Sequence, residues 1–292
     1  MRYFSPKDLA RSFGVSESSV KRWVDDGTLT ASRTAGGHRR IALAEAVRFV
    51  RVSGTPVAHP QLFLGETRFP AAAALPGDAH EDFFSLLERD EAPAARAWLL
   101  SLYVSGWSVA AICDGPMRCA MEKIGTLWLH GVDGIVIEHR ATDTCVRVLA
   151  ELRGFFAAPE PGALVAVGAA PNGDPYLLPS MMAAAVLAEL GFRDLNLGPH
   201  CPTEVLALAT QRYHPRLVWL AMRLKPESDA AMRAVTDLAS QLATNGGTLV
   251  LGGQGAPPVP PHPGLLRVQN MAELAAFARG LQVAGPQALA AS

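Results

Sequence analysis

The chain is poor in the features that announce most chemistries. Its 292 residues include only four cysteines, Cys113, Cys119, Cys145 and Cys201, too few and too widely spaced for a disulfide framework or the paired Cys/His spacing of a zinc site. Buried free thiols are the expectation. No apolar run reaches the roughly 18 to 20 residues that cross a bilayer. The first residues lack the apolar core of a signal peptide, so a cytoplasmic location with no membrane partner is expected. No acid/base pair or nucleophile stands at a distinctive catalytic spacing, so the chain is not expected to be an enzyme. Net charge is also nearly absent, at −1 overall.

That small total conceals an asymmetry. Residues 1–53 hold ten Lys or Arg against five Asp or Glu, a net of +5, which leaves −6 for the remainder. Only the amino-terminal end suits a polyanion. Its densest stretch, Arg33-Thr34-Ala35-Gly36-Gly37-His38-Arg39-Arg40-Ile41, sets basic side chains around two glycines that tolerate the positive φ of a tight hairpin. Arginines there can fork onto phosphate oxygens. Upstream, Ser5, Pro6 and Asp8 read as N-cap, first position and third position of a short helix that carries Leu9 and Phe13 on one face and stops at Gly14. Ser16 then caps a second helix, with Val20, Trp23 and Val24 inward and Ser18, Ser19, Lys21 and Arg22 largely outward. A hairpin over 28–41 and a helix over 43–50 complete the unit.

Residues 54–80, rich in Pro, Ala and Gly, read as a linker. Residues 81–157 carry helical periodicity, with breaks near Pro93, Gly106 and Gly131, and predict a four-helix bundle whose third and fourth helices cover 112–128 and 135–152. From 158 to 285 the pattern alternates. Short apolar strands at 164–168, 195–198, 217–222, 248–252 and 266–268 are separated by helices at 178–190, 203–212, 227–244 and 272–281, which predicts a flavodoxin-like doubly wound parallel sheet. Residues 286–292 are a tail. The fold class is thus multidomain, α and α/β. In such sheets ligands bind beyond the carboxyl ends of the strands, here the loops from Ala169, Gly198, Met222 and Gly252.

The first 53 residues resemble the winged helix-turn-helix of the MerR family of transcription regulators, through Val20-Lys21-Arg22-Trp23 and Gly36-Gly37-His38-Arg39-Arg40. The resemblance implies double-stranded operator DNA as partner, contacted by Ser18, Ser19, Lys21, Arg22, Arg33, His38, Arg39 and Arg40. With the bundle and sheet added, the whole chain resembles the cobalamin-binding, light-sensing repressors of the CarH type. Trp128 followed by Glu138-His139 is similar to the pattern that covers the upper corrin face in that family. Asp174-Pro175-Tyr176 lies where the family carries Asp/Glu-x-His, and Gly252-Gly253 falls in order behind it.

The departures from that family are as informative. Tyr176 stands in the place of the lower axial histidine, Pro179 in that of the motif's glycine, and Ala221 in that of a serine near the nucleotide tail. Leu129 occupies the position of a second histidine, with His130 one residue on. A phenol ionises near pH 10, whereas imidazole is mostly neutral at pH 7, so the usual ligation of cobalt is in doubt. Three readings stay open: cobalamin held without the histidine; haem or a bilin in a cleft between bundle and sheet, near Trp128, His139, Tyr176 or Cys201; or a module kept only for assembly. The candidate cofactor residues are Trp128, Glu138, His139, Asp174, Tyr176, Gly252 and Gly253. The expected function is a DNA-binding repressor acting as a homo-oligomer, dimer or tetramer, whose carboxy-terminal module senses a tetrapyrrole and through it light. A corrinoid-dependent enzyme subunit is the alternative from another class.

Overall fold

The computed structural model describes residues 2–64, 79–127, 132–226, 228–259 and 261–284. They form two compact units, residues 1–157 and 158–292. No helix among the described residues is long and apolar enough to cross a membrane.

The first unit opens with strand β1 (Tyr3–Phe4) and helix α1 (Pro6–Phe13). As expected, the Ser5 hydroxyl accepts from the Asp8 N–H (3.2 Å), satisfying a donor that the first helical turn leaves unpaired. Gly14 ends the helix in the left-handed region at φ 70°. Helix α2 (Glu17–Asp25) is capped by Ser16 in the same way. Strands β2 (Ser32–Arg33) and β3 (Arg39–Ala42) form the hairpin, and β1 adds to β3 to give a three-stranded antiparallel sheet, order β1-β3-β2. Of the two hairpin glycines, only Gly37 takes a positive φ. Helix α3 (Leu43–Ser53) follows.

A domain of this size has little core, and aromatic rings supply it. Phe13 and Phe49 stack at 6.0 Å, and Trp23 meets Phe49 at 4.7 Å. The core closes with a residue from the stretch read as a linker: helix α4 (Pro60–Leu64) inserts Phe63, fully buried, against Phe4 and Phe13, each at 5.6 Å. A five-residue helix is too short for periodicity to reveal it. The rest of that stretch, 65–78, lies outside the described residues.

The bundle comprises α5 (Ala79–Glu88), α6 (Ala92–Val104), α7 (Val109–Ile112), α8 (Arg118–Thr126) and α9 (Val132–Arg153). The break expected near Pro93 separates α5 from α6, with Pro93 in the first turn of α6. The expected third helix is interrupted by a π-helical turn, Cys113–Met117, where Pro116 lacks an N–H to donate and Gly115 leaves helical geometry (φ −86°, ψ −106°). Phe83 stacks on Trp98 at 5.6 Å, and Arg96 makes a forked contact with Glu151 (2.6 and 2.5 Å). Arg51, near the end of α3, donates to the carbonyls of Tyr103 (2.9 Å) and Trp107 (2.7 Å) and lies 4.1 Å over the Tyr103 ring. One cation thus satisfies the backbone at the end of α6. Cys113 and Cys145 are buried here, and burial pushes the Cys145 thiol up to about 12. Cys119 is half-buried.

The second unit alternates β4 (Val165–Ala169), α10 (Leu177–Glu189), β5 (Arg193–Asn196), α11 (Thr203–Tyr213), β6 (Leu217–Ala221), α12 (Asp229–Thr244), β7 (Thr248–Gly252), β8 (Leu265–Arg267) and α13 (Met271–Ala284). All neighbours are parallel, in the order β5-β4-β6-β7-β8. Strand β5 begins two residues before the expected start, on Arg193 and Asp194. It is an edge strand with partial exposure, so polar residues fit there and no apolar signal marks them. Helix α12 starts on the Ser228 cap, and Glu227, its expected first residue, lies outside the described residues.

Alternate strand residues divide the core. Val167, Val218, Leu220, Leu249 and Leu251 face α11 and α12; Ala166, Leu217, Trp219, Ala221 and Val250 face α10 and α13. On the latter side Gly168 and Trp219 are register partners across β4 and β6. A methyl group on Gly168 would sit 2.0 Å from the indole, so glycine is required by the ring beside it. We therefore expect Gly168→Ala to destabilise this unit by about 1–3 kcal/mol through overpacking. A fall in the urea midpoint of the transition reported by Trp219 checks this, and an unchanged midpoint counts against the packing.

Candidate functional site

Two regions collect the candidate residues, one in each unit. In the first unit, the start of α1, the exposed side of α2 and the β2–β3 hairpin enclose a concavity of about 510 Å³ whose walls include Ser5, Lys7, Glu17, Lys21, Arg33, His38 and Arg39. Four cationic side chains face one acid. The starts of α1 and α2, where unpaired N–H groups leave partial positive charge, reinforce that sign.

Local ion pairs arrange these cations. Lys21 pairs with Glu17 one turn back (2.8 Å), and Arg39 reaches across to Asp25 at the end of α2. Such surface pairs contribute no more than about 1 kcal/mol, so a phosphate can displace either acid at small cost. Arg39 and Arg40 are sequence neighbours on a strand and point to opposite faces. Arg39 is only 21% exposed and lies toward α2; Arg40 is exposed, with its guanidinium 4.5 Å over the Tyr3 ring. Of the two arginines expected at phosphate, Arg39 is thus paired with Asp25 in the free protein and Arg40 is presented outward. Ser18, Lys21, Arg22, Arg33 and His38 are exposed. Ser19 is half-buried, with its N–H donating to the Ser16 hydroxyl and its own hydroxyl hydrogen-bonded to that group, so it serves the helix start and not a free face. Lys7 was not singled out from sequence. The signal was the Ser5 cap, which turns the second helical residue outward beside α2.

In the second unit the loops after the strands converge around Asp174, which is 1% exposed. Its Oδ2 accepts from the backbone N–H groups of Arg223 (2.6 Å) and Leu224 (3.0 Å), its Oδ1 from that of Tyr176 (3.1 Å), and its carbonyl from the N–H of His200 (3.1 Å). One carboxylate thus ties the loop after β4 to the loop after β6. Asp174, expected as a cofactor contact, acts as a structural clamp, its carboxylate accepting from three backbone N–H groups. Of the glycine pair, Gly253 has a structural role: a methyl group on it (φ 102°) would meet the Met222 carbonyl oxygen at 2.3 Å, so it permits backbone approach between the loops after β6 and β7, where the Met222 N–H donates to the Gly252 carbonyl at 2.8 Å. Tyr176, 37% exposed, precedes α10 with the Arg223 guanidinium 5.8 Å from its ring. Pro179 lies in the first turn of α10, where its missing N–H costs nothing. Arg223, unmarked in the sequence, is an exposed cation of this loop cluster and also binds Gln254.

Glu138 and His139 belong to α9 in the first unit. Glu138 accepts from Thr142 (3.1 Å), and His139 is 70% exposed, with Nδ1 2.8 Å from Glu138 and 2.9 Å from the Ile135 carbonyl oxygen. Trp128, with Leu129 and His130, lies outside the described residues.

The residues of the second unit do not fit a cobalamin held from below. The ligand position offers a phenol, and the carboxylate two residues before it accepts from three backbone N–H groups. Cys201 is buried, which pushes its thiol up, away from the thiolate a metal needs.

Residues 3–51 match the family described as a helix-turn-helix domain. Among solved structures, the monomethylamine corrinoid protein of Methanosarcina barkeri is similar at 14% identity and TM-score 0.54, over 71% of this chain and 100% of that one. A methanol:cobalamin methyltransferase complex from the same organism (18%, TM-score 0.38, 73% and 86%) and a cobalamin-binding protein from Desulfitobacterium hafniense DCB-2 (14%, 0.36, 72% and 98%) are more distant in shape. No curated protein matches the chain. The chain therefore carries a helix-turn-helix domain ahead of a bundle and sheet that share the fold of a corrinoid protein. These likenesses lend no support to haem or a bilin.

The clamp generates a test. Asp174→Ala leaves the partly buried N–H groups of Arg223 and Leu224 without their acceptor, which costs about 1–3 kcal/mol. The unfolding midpoint in urea should fall accordingly. Unaltered stability would return Asp174 to the candidate ligand contacts.

Proposed function

We propose that the chain is a transcription regulator that binds double-stranded operator DNA through α2 and the hairpin and acts as a homo-oligomer, without catalytic activity of its own. The concave cationic face built by α1, α2 and the hairpin carries this reading. The face fits a helix laid in the major groove with the hairpin along the flanking backbone, and the MerR-like spacing of Arg22 and the 36–40 turn agrees with that placement. Repression by occupancy is the mode we favour, because it requires nothing beyond DNA binding.

The residues divide by role. Arg22 and Lys21 project from the outward side of α2 toward base edges. Arg33, His38 and Arg40 meet phosphates from the hairpin, and Arg39, anchored by Asp25, holds the hairpin against α2. One small helix and a wing bury too little surface for high operator affinity alone. Assembly of several chains supplies the remainder, and the carboxy-terminal unit is the part available to organise it. The shared fold of a corrinoid protein supports a cobalamin-type module, but the 174–176 loop offers no histidine to hold the cobalt from below, so our reading keeps the sensing of cobalamin, and through it of light, apart from the operator-binding role. The alternative of a corrinoid-dependent enzyme subunit rests on the shared fold alone and meets the same obstacle.

The decisive measurement is fluorescence anisotropy with a duplex selected from a random pool, compared with an unselected duplex over a salt series. Arg22→Ala should lose about 1–3 kcal/mol of discrimination, whereas Arg33→Ala and Arg40→Ala should weaken both duplexes alike and each reduce the salt slope by about one. Unchanged affinity in all three variants would remove the operator assignment. The assembly part is tested separately by sedimentation of the full chain with and without the selected duplex. A dimer or larger species is expected on DNA, with half-sites about one helical turn apart; a single chain per duplex at saturation would refute it.

A further inference from the structure

The side of the sheet that faces α10 and α13 carries a second departure from the corrinoid-protein fold, independent of Tyr176. The resemblance to cobalamin-binding repressors puts the nucleotide tail near the end of the third strand, at Ala221. In this chain Ala221 is buried, 6% exposed, in the same cluster as Trp219, Ala183 and Ala184. Gly168 on the neighbouring strand and the alanines of α10 are small, and small residues on facing elements would leave a flat slot between sheet and helix. Trp219 fills it. The indole lies so close to Gly168 that even a methyl group there would overlap it, at 2.0, 2.3 and 2.4 Å from three ring atoms.

The polar edge of the slot is closed as well. Trp219 Nε1 donates to the Ser180 hydroxyl (3.0 Å), Ser180 donates to Asn196 Oδ1 (2.9 Å), and the same oxygen accepts from the Gly198 N–H (3.0 Å). Ser180 is fully buried and Trp219 is 2% exposed. No buried side-chain nitrogen or oxygen along this chain of bonds, among the described residues, is left waiting for a partner. An indole N–H is a donor only, and a hydroxyl that can both accept and donate is what links it to the amide oxygen. A planar heteroaromatic body with one polar edge therefore already occupies the space, supplied by the protein itself.

We infer that Trp219 is a built-in occupant of the tail slot, so that this unit is folded and closed without a corrinoid and takes none up by burying its nucleotide. The inference stands apart from the operator reading, which uses no residue of this unit. It is tested on the full chain in two ways. Hydroxocobalamin is added in excess to the wild type and to Tyr176→His, and each is gel-filtered while absorbance is recorded. Neither should carry visible colour with the protein, because restoring an imidazole does not empty the slot; retention of about one cobalamin per chain by either would overturn the inference. In parallel, Trp219→Ala is melted with and without free indole. The variant should melt about 10 °C below the wild type and be raised by indole, which refills an apolar cavity and finds Ser180, while the wild type does not respond. A variant that melts like the wild type, or that ignores indole, counts against the indole as occupant. Should Trp219→Ala not fold, the two cobalamin titrations decide the matter alone.

Discussion

The contact of the Trp219 indole with Gly168 constrains the carboxy-terminal unit more than any other. A large ring on the central strand β6 demands a residue without a side chain opposite it on β4, and small residues across the gap on α10. Its one polar atom must also be satisfied inside the core, since an unpaired buried donor costs more than a hydrogen bond contributes. Ser180 meets that need and in turn fixes Asn196 and the turn at Gly198. The position of α10 on the sheet, the end of β5 and the start of the next loop thus follow from the seating of one ring.

The loops beyond the carboxyl ends of the strands are held by a different device, a buried carboxylate. Asp174 gathers three backbone N–H groups from two loops, and Gly253 lets the third loop approach to backbone distance. In the first unit neither device is used. There, the rings of Phe4, Phe13, Trp23, Phe49 and Phe63 pack among buried Leu9, Val20, Leu29, Ile41 and Val47, and Arg51 joins α3 to the end of α6. The cationic face grows from that core: the residues of α2 that bury Val20 inward necessarily turn Lys21 and Arg22 outward.

Legibility in the sequence tracked the range of the interaction. The caps at Ser5 and Ser16, the stop at Gly14 and the strand at 248–252 depend on residues within a turn or two, and each stands where local chemistry puts it. Helix α4 was missed because five residues show no period, and Phe63 acquires meaning only beside Phe4 and Phe13. The π-helical turn at Cys113–Met117 was missed because Pro116 within an apolar run can kink a helix or end it, and the packing of α5 against it decides which. Arg39 and Arg40 looked alike until the strand put them on opposite faces. Asp174 and the glycine pair fell in the order of a cofactor motif, yet their partners, the backbones of residues 222–224, lie some fifty or thirty positions away in sequence.

The sequence by itself determined the order of helices and strands, the parallel sheet, and the concentration of positive charge at the amino-terminal end. These follow from periodicity, capping and composition, which act over a few neighbours or sum over many. Tertiary structure alone decided which polar groups remain available. Whether Asp174 is a ligand or a clamp, whether Arg39 is presented or paired, and whether the face beneath α10 is a slot or a core are questions of what lies within a few ångströms. Hydrogen bonds and close packing fall away over that distance, and only the folded chain brings Trp219 to Gly168 and Ser180, or Arg223 to Asp174.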